Sequence, residues 1–415
     1  MNQSLIDHCN APGLIPVEDA IDSMLAAITP VTDILVLPVT EALGYVLADA
    51  VLSQINVPPA ANSAMDGYAL AVASIVDGNE LQVIGSSFAG APFNAKVDAG
   101  QCVRIMTGGI IPVGTDAIVM QENTESSNDV LRIINKPRRG ENIRLSGEDI
   151  QAGQLLLAAG HKISAVDIGL LCSIGVTEVR VFRKLKVALF STGNELQQPG
   201  IPLELGEIYD SNRPALHAML NKIGIEVLDL GVIEDRRENI ASAFEKGALG
   251  CDAVITSGGV SVGEADFTKE VLQELGQIAF WKIAMKPGKP FAFGHLPGSY
   301  FFGLPGNPVS ALVTFYQLVI PALSKLSGQN PQPVKRLTAI ADERLRKRPG
   351  RADFQRGIYK IKDDGKLYVT AAGKQGSGVL TSIANANCFI VLEQQRGDVA
   401  SGENVKIELF ADFFK

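Results

Sequence analysis

The sequence predicts a multidomain α/β plus β protein, and three observations lead there. From Lys184 to about residue 330, strand-like apolar runs alternate with amphipathic helical ones, the pattern of a sheet covered on both faces by helices. From 51 to 147, and again beyond 335, brief β-type runs are separated by turn residues. Helical texture on both sides of the first β stretch marks it as an insertion into a discontinuous first domain. A chain of 415 residues is also too long for one ordinary core.

Taken in order, Val17, Ala20, Ile21, Met24, Leu25 and Ile28 fall on one helical face, with acids in its first turn. VTEALGYVLA reads as a second short helix. The inserted module's strands are expected in MDGYAL, LQVIG, CVRIMTG, DAIVMQE and VLRIIN. ISAVDIGLLCSIG then returns to helical spacing, and VTEVRVF follows as a strand. Domain bounds of 14–50 with 148–183, 51–147, 184–330 and 335–415 result. In the third domain KVALFSTGNEL is a strand entering a glycine loop, and RPALHAMLNKIG is a helix ended by glycine. IEVLDLGVI and DAVITSGG are near-continuous apolar runs, as in strands buried on both faces of a parallel sheet. ENIASAFEKGAL and DFTKEVLQEL supply the intervening helices, and VSALVTFYQLVIPALSKL closes the domain. Beyond SGQNPQPV, strands are expected in LTAIADERL, DFQRGIYKI, LYVTAAG, CFIVLE and VKIELF.

Composition narrows the function. The chain is 46% hydrophobic and 20% charged, with a formal net charge of -8 and a pI near 5.2. That balance argues against non-specific nucleic-acid binding or an acidic membrane surface, while local lysines leave an anionic small molecule open. Five scattered cysteines, with no CxxC pair, indicate neither a disulfide framework nor a zinc site. The first residues lack a basic segment followed by an apolar one, and no apolar run is expected to span a membrane. Cytoplasmic is the plain reading.

Chemistry concentrates between Thr256 and Ser310. TSGGVSVGEADF, KIAMKPGKPF and GLPGNPVS each join an apolar run to a glycine- or proline-rich loop. Glycines free main-chain N–H groups to approach an anion, and Lys282, Lys286 and Lys289 add charge. Glu264 and Asp266 put carboxylates beside the same loops, as a divalent cation requires. In an open α/β sheet ligands bind outside the carboxyl ends of the strands, and STGNEL and TSGGVSVGEAD both follow strands. A lone glycine loop is ordinarily a tight turn; two at one edge, each with a carboxylate, strain that bland reading. LPGNPVS is either a rigid anion seat or a simple helix-start device, with Pro308 near the first helical position. A lysine cluster is ordinarily solvated surface, but these lysines sit among apolar residues, where unneeded charge is costly.

Weaker signals stand beside these. Gly259-Val260-Ser261-Val262-Gly263 fits GxSxG, with Asp266 and His295 in triad order, yet TSGG intervenes where a nucleophile elbow needs a sharp turn. No GxxxxGK[ST] occurs. Asp66 precedes a glycine in what should be a strand, either a turn or an acid held at a bulge. Arg144, Glu148 and Asp149 read by default as an ion-pair cluster at a domain hinge.

SAMDGYA, RIMTG, NIRxxGEDI, FSTGxEL, IYDSN, SGGVSVGEAD, KPGKP, GLPGNPVS, DFQRG and QGSG together, in this order and over nearly the whole chain, resemble the MoeA-type molybdopterin molybdenumtransferases. That family includes the E domain of gephyrin-like proteins. The resemblance implies a three-layer α/β domain of MogA/MoeA type, an inserted β domain and a C-terminal β-barrel-like domain. It implies an enzyme that inserts molybdate into adenylylated molybdopterin and releases AMP with Mg²⁺. It further implies a homodimer whose site is shared between subunits, transient contact with the molybdopterin adenylyltransferase, and neither nucleic-acid nor membrane partners. Carried onto matching positions, Glu195, Asp235, Asp266, Asp66 and Asp149 are the catalytic acids, with Glu195 and Asp266 on the metal. Thr107, Ser257, Gly258, Gly259, Lys282, Lys286, Pro305 and Pro308 bind substrate and phosphate. Lys282, Lys286, Arg356 and Ser377 hold molybdate. Asn194 departs from the acid common in relatives, which puts a metal role at 194 in doubt. Two rival readings stay open: adenylylation of molybdopterin from ATP, and a pterin carrier or scaffold.

Overall fold

The computed structural model describes residues 13–75, 80–259, 267–330, 332, 334–410 and 413–414. These form two compact units. One comprises Val36–Leu43 with Leu47–Arg180; the other comprises the chain up to Leu35, Gly44–Val46 and everything from Val181 onward.

Helix α1 (Val17–Ala27) buries Val17, Ala20 and Met24, the face its spacing predicts. The expected second helix is absent: VTEALGYVLA gives only a 3₁₀ turn at Val39–Glu41 and a two-residue strand, Val46–Leu47. Gly44 lies between them at φ +78°, a conformation that ends a right-handed helix.

The first unit's main sheet contains β1 (Gly67–Leu70), β2 (Glu80–Ser87), β3 (Gln101–Ile105), β4 (Ala117–Met120), β5 (Thr124–Ser127) and β6 (Val130–Ile133). Its order is β4-β1-β3-β2-β6-β5, antiparallel except for the β2–β3 pair. Alternate residues such as Leu70, Leu81, Cys102, Val119 and Leu131 fill its core. Helix α2 (Ala165–Ser173) follows, started by a capping box between Ser164 and Asp167.

The second unit holds a six-stranded sheet of β7 (Lys186–Thr192), β8 (Glu226–Ile233), β9 (Ala253–Ser257), β10 (Gln277–Lys282), β12 (Pro290–Leu296) and β13 (Ser299–Leu304). A short strand, β11 (Met285–Lys286), lies in the turn between β10 and β12. The order is β8-β7-β9-β13-β12-β10, parallel through β13 and antiparallel across the last two pairs. Helices α3 (Asn212–Lys222), α4 (Arg237–Ala248), α5 (Phe267–Leu275) and α6 (Pro308–Leu326) cover it. Successive residues of β7 serve opposite faces: Val187 and Leu189 pack with α1, α3 and α6, whereas Ala188 and Phe190 pack with α4 and α5. That alternation makes the three layers. One strand expectation fails. β8 is an edge strand without a fully buried residue: α3 packs on one of its faces and α4 on the other, but one of its edges has no neighbouring strand, which leaves its residues part-exposed.

Helix α6 is 19 residues long and apolar enough to cross a membrane by length and composition, which the sequence reading did not expect. Its most apolar window is 72% buried inside the protein, so its hydrophobicity is that of a core helix. The middle of α6 (Phe315–Val319) is π-helical, just ahead of Pro321, whose missing N–H and ring disrupt the α ladder.

The last module contains β14 (Leu337–Ala341), β15 (Ala352–Ile361), β16 (Leu367–Ala371), β17 (Cys388–Leu392) and β18 (Asn404–Leu409). The order β15-β16-β14-β18-β17 closes on itself through the β15–β17 pair, which leaves a five-stranded barrel without a free edge. β11 pairs in parallel with the start of β15, setting Lys286 opposite Asp353.

Candidate active site

Strand register fixes which loops meet. Thr192 pairs with Ile233, Ser191 with Ser257 and Ser257 with Leu304. The loops that follow β7, β8, β9 and β13 therefore leave one edge of the sheet, the carboxyl edge where ligands bind in such folds. The antiparallel hairpin brings a fifth segment there: Gly303 pairs with Ala292, and Pro290 with Lys282. Glu195, Asp235, Ser257, Gly258, Gly259, Pro305 and the KPGKP turn are thus gathered by topology. His295 pairs with Tyr300 at the opposite edge, so it cannot complete a triad at these loops. Glu264, Asp266 and the GxSxG serine, Ser261, lie outside the described residues.

Asn212, at the start of α3, links the loops. Its Nδ2 donates to Ser257 Oγ at 2.8 Å and to the Gly306 carbonyl at 2.7 Å. A carbonyl can only accept, so the amide orientation is determined. Its Oδ1 is buried and has no hydrogen-bond partner among the described residues. The helix start is held by buried Asp210, which accepts from Ser191 Oγ at 3.3 Å, Arg213 N–H at 3.2 Å and Arg213 Nε at 3.0 Å. Asn212 is not among the expected site residues; in the sequence IYDSN carries only a family resemblance. Side-chain amides after a strand are common in loops, and nothing in the spacing singles this one out.

The glycines are needed for space. At Gly258 (φ +94°) a Cβ would lie 2.6 Å from the Thr192 carbonyl, and at Gly259 (φ +67°) 2.3 Å from Thr268 Oγ1. Thr268 Oγ1 is itself buried, with no hydrogen-bond partner among the described residues. The expected amide pair is halved, because Gly258 N–H donates to the Leu304 carbonyl at 3.1 Å as a continuation of the sheet. Ser257 Oγ accepts from Asn212, and its own proton has no acceptor among the described residues.

Glu195 is exposed and Asp235 half-buried. Burial, and then the charge of Glu195, hold the Asp235 carboxyl above its ordinary value. Asn194 Oδ1 accepts from Asp235 N–H at 3.1 Å, tying the two acid loops together. An acid at 194 could accept the same bond but would add a third negative charge. Among the described residues no group of three or more metal-ligating side chains occurs. Two mutually repelling carboxylates still fit Mg²⁺, which commonly takes one or two carboxylates and completes its shell with phosphate and water.

Lys282, Lys286 and Lys289 are exposed, while Trp281, Ile283, Met285 and Phe291 point into the core. Strand alternation thus separates charge from apolar context without burying it. Gly288 (φ +109°) lies so close to α6 that a Cβ would be 2.3 Å from Thr314 Oγ1. Pro308 takes the first helical position, as expected. The anion seat of LPGNPVS is partly filled, because Val309 N–H donates to the Ser377 carbonyl at 3.0 Å. That bond also brings the QGSG loop beside Pro305 and Pro308. Arg356 does not open to solvent as expected of an oxyanion ligand. It is 1% exposed, with Nε donating to Ser382 Oγ at 3.0 Å and Nη2 to the Gly376 carbonyl at 3.4 Å, so it braces that loop.

In the other unit, Asp66 stands just before β1 in a bend, which removes the bulge reading. Thr107 donates to Asp66 Oδ1 through both its N–H and Oγ1, at 2.8 Å each, and these bonds hold the Asp66 carboxyl low. Thr107 therefore spends its hydroxyl proton on Asp66 rather than offering it to phosphate. Asp149 is exposed, its N–H donating to the Val57 carbonyl at 3.0 Å. The expected ion-pair cluster is absent among the described residues. Glu148 instead accepts from Leu145 N–H at 2.9 Å.

A mixed α/β sheet with glycine- and proline-rich loops at its carboxyl edge, an inserted β module and a closed barrel define a multidomain α/β plus β protein. Three family profiles match in sequence: the MoeA N-terminal region (domain I and II) over 15–175, a probable molybdopterin binding domain over 188–325, and the MoeA C-terminal region (domain IV) over 338–410. The chain is 47% identical over 399 residues to the molybdopterin molybdenumtransferase of Haemophilus influenzae, covering 96% of this chain and 99% of that one. It is 35% identical to that of Nostoc sp., covering 88% and 86%. The crystal structure of a molybdopterin biosynthesis MoeA protein from Pyrococcus horikoshii superposes with a TM-score of 0.77 at 32% identity, covering 96% and 99%. The chain belongs to the MoeA family of molybdopterin molybdenumtransferases. Relatives of that name span the β modules as well as the α/β domain, so the adenylylating reading falls.

Proposed function

We propose that this enzyme inserts molybdate into adenylylated molybdopterin and releases AMP with the help of Mg²⁺. The carrying observation is the single sheet edge that gathers Ser257, Gly259 and Asn212 beside Glu195 and Asp235, with Asn212 Oδ1 buried and without a hydrogen-bond partner among the described residues. Ser257 Oγ–H and the Gly259 amide donate to a phosphate oxygen. Asn212 holds the Ser257 and Gly306 loops in register and offers Oδ1 to a donor on the ligand. Glu195 and Asp235 hold Mg²⁺, which when bound offsets phosphate charge. Lys282 and Lys286 offset the repulsion between molybdate and the pterin phosphate. Positioning and charge neutralisation suffice for pyrophosphate cleavage, so no dedicated nucleophile is required.

In this reading Arg356 shapes the Ser377 loop, and Asp66, braced by Thr107, joins Asp149 in facing the site of the partner subunit in a homodimer. The enzyme works in the cytoplasm, receives its substrate in transient contact with the adenylyltransferase, and has no nucleic-acid or membrane partner. AMP release from adenylylated molybdopterin, measured with and without molybdate and Mg²⁺, tests the reading. Binding without release under any oxyanion would move the chain to the carrier reading.

A further inference from the structure

The barrel carries a pocket of about 740 Å³ whose wall includes Lys286, Arg346, Lys347, Arg348 and Arg351 against two carboxylates, Asp353 and Asp398. Both acids are engaged. Asp398 accepts from Arg344 Nη2 at 2.6 Å and from Lys347 N–H at 2.8 Å. Asp353 lies 3.2 Å from Lys286 Nζ and accepts from Gln355 Nε2 at 3.1 Å. Arg346, Arg348 and Arg351 have no carboxylate partner within 4.0 Å among the described residues. On a chain of net charge -8 this surplus of cations runs against the average.

The wall is built rather than loose. Lys347 is 5% exposed, and its Nζ donates to the carbonyls of Arg396 at 2.7 Å and Gln394 at 3.1 Å, fixing the turn behind the pocket. The arginine loop is anchored at both ends, by the Leu345–Val399 bridge and by Ala352 N–H donating to the Ala284 carbonyl at 2.7 Å. Among the described residues no aromatic side chain lines the pocket, so a pterin or a nucleobase finds no aromatic ring to stack on there. What remains is attraction for a ringless anion, and the volume admits one with its hydration shell. Lys286 belongs both to this wall and to the KPGKP turn at the sheet's carboxyl edge.

We propose that this pocket is an electrostatic funnel that gathers the inorganic dianion of the reaction and hands it to Lys286. The inference rests on the molybdate-inserting reading above. A cleft of one sign raises the local concentration of its counter-ion, and the gain falls steeply with ionic strength.

The test is the full-length double variant Arg346→Ala/Arg348→Ala, assayed for AMP release over a molybdate titration at low and high salt. At low salt the molybdate KM rises about fivefold or more while kcat holds, and the difference closes at high salt. An unchanged KM at low salt, or a fall in kcat with KM constant, would overturn the funnel. If the wild-type chain releases no AMP, the functional reading fails separately. Equilibrium dialysis of molybdate and of sulfate then decides the pocket alone: weaker low-salt binding by the variant supports it, and equal binding refutes it.

Discussion

Replacing Asn212 with alanine removes two donated hydrogen bonds, at 2.8 Å to Ser257 Oγ and 2.7 Å to the Gly306 carbonyl, and with them the only observed side-chain link between those two loops among the described residues. Each bond contributes about 0.5–1.5 kcal/mol net, so the alignment of the loops loses about 1–3 kcal/mol. If that alignment is needed mainly in the transition state, AMP release slows by about 5- to 150-fold. The loops lie at the sheet edge and the core beneath them is untouched, so the melting temperature moves little. Asn212→Asp is the sharper variant: it keeps the shape, cannot donate to the carbonyl, and brings a negative charge to a phosphate seat. It is expected to be slower than the alanine variant. Single-turnover AMP release, with thermal unfolding as the control for folding, measures both. Wild-type rates in a folded Asn212→Ala protein would refute the bridging role.

Other perturbations have equally definite outcomes. Asp235 is held above its ordinary value of 3.8, so its ionised form costs stability at neutral pH, and that cost vanishes as pH falls through its folded value. Glu195→Gln removes one cause. The variant is expected to melt higher than wild type at pH 7, with the gap narrowing in acid, while AMP release is lost; a lower melting point at pH 7 would contradict the repulsion. Glu408, fully buried, accepts from Gln317 Nε2 at 2.6 Å and Arg336 Nε at 2.9 Å. Glu408→Ala strands the Gln317 donor and costs about 1–3 kcal/mol, read by urea unfolding. Burial pushes the Cys102 and Cys388 thiols up to about 12, whereas Cys172 is exposed. Peptide mapping after maleimide treatment at pH 8 should find Cys172 labelled and the other two protected until the chain unfolds. Mixing an Asp66→Ala with a Glu195→Ala protein should restore part of the AMP release if subunits share a site; two inert proteins that stay inert after subunit exchange would argue against sharing.

The strand and helix pattern was legible wherever burial imposed a clear period, as along β7, β9 and α1. It misled where apolar residues served another purpose. The β8 run looks doubly buried, but a position at the sheet edge leaves one edge of the strand without a neighbour, and edge or centre is decided by partners far along the chain. VTEALGYVLA has helical spacing, yet Gly44 adopts a positive φ that the spacing does not encode. The crevice was legible as a set of loops, because glycine and proline punctuate strand ends in sequence. Which groups remain free was not. Gly258 N–H is consumed by the Leu304 carbonyl, the Thr107 hydroxyl by Asp66, and Arg356 by the Gly376 loop and Ser382, and each partner is distant in sequence. Asn212 became visible only when its two acceptors came within reach.

The most direct measurement is single-turnover release of AMP from adenylylated molybdopterin with Mg²⁺, in the presence and absence of molybdate. Molybdate-dependent release, together with formation of active cofactor, is the expected result. Tight binding of the substrate with no release under any oxyanion would contradict the insertion of molybdate by this chain.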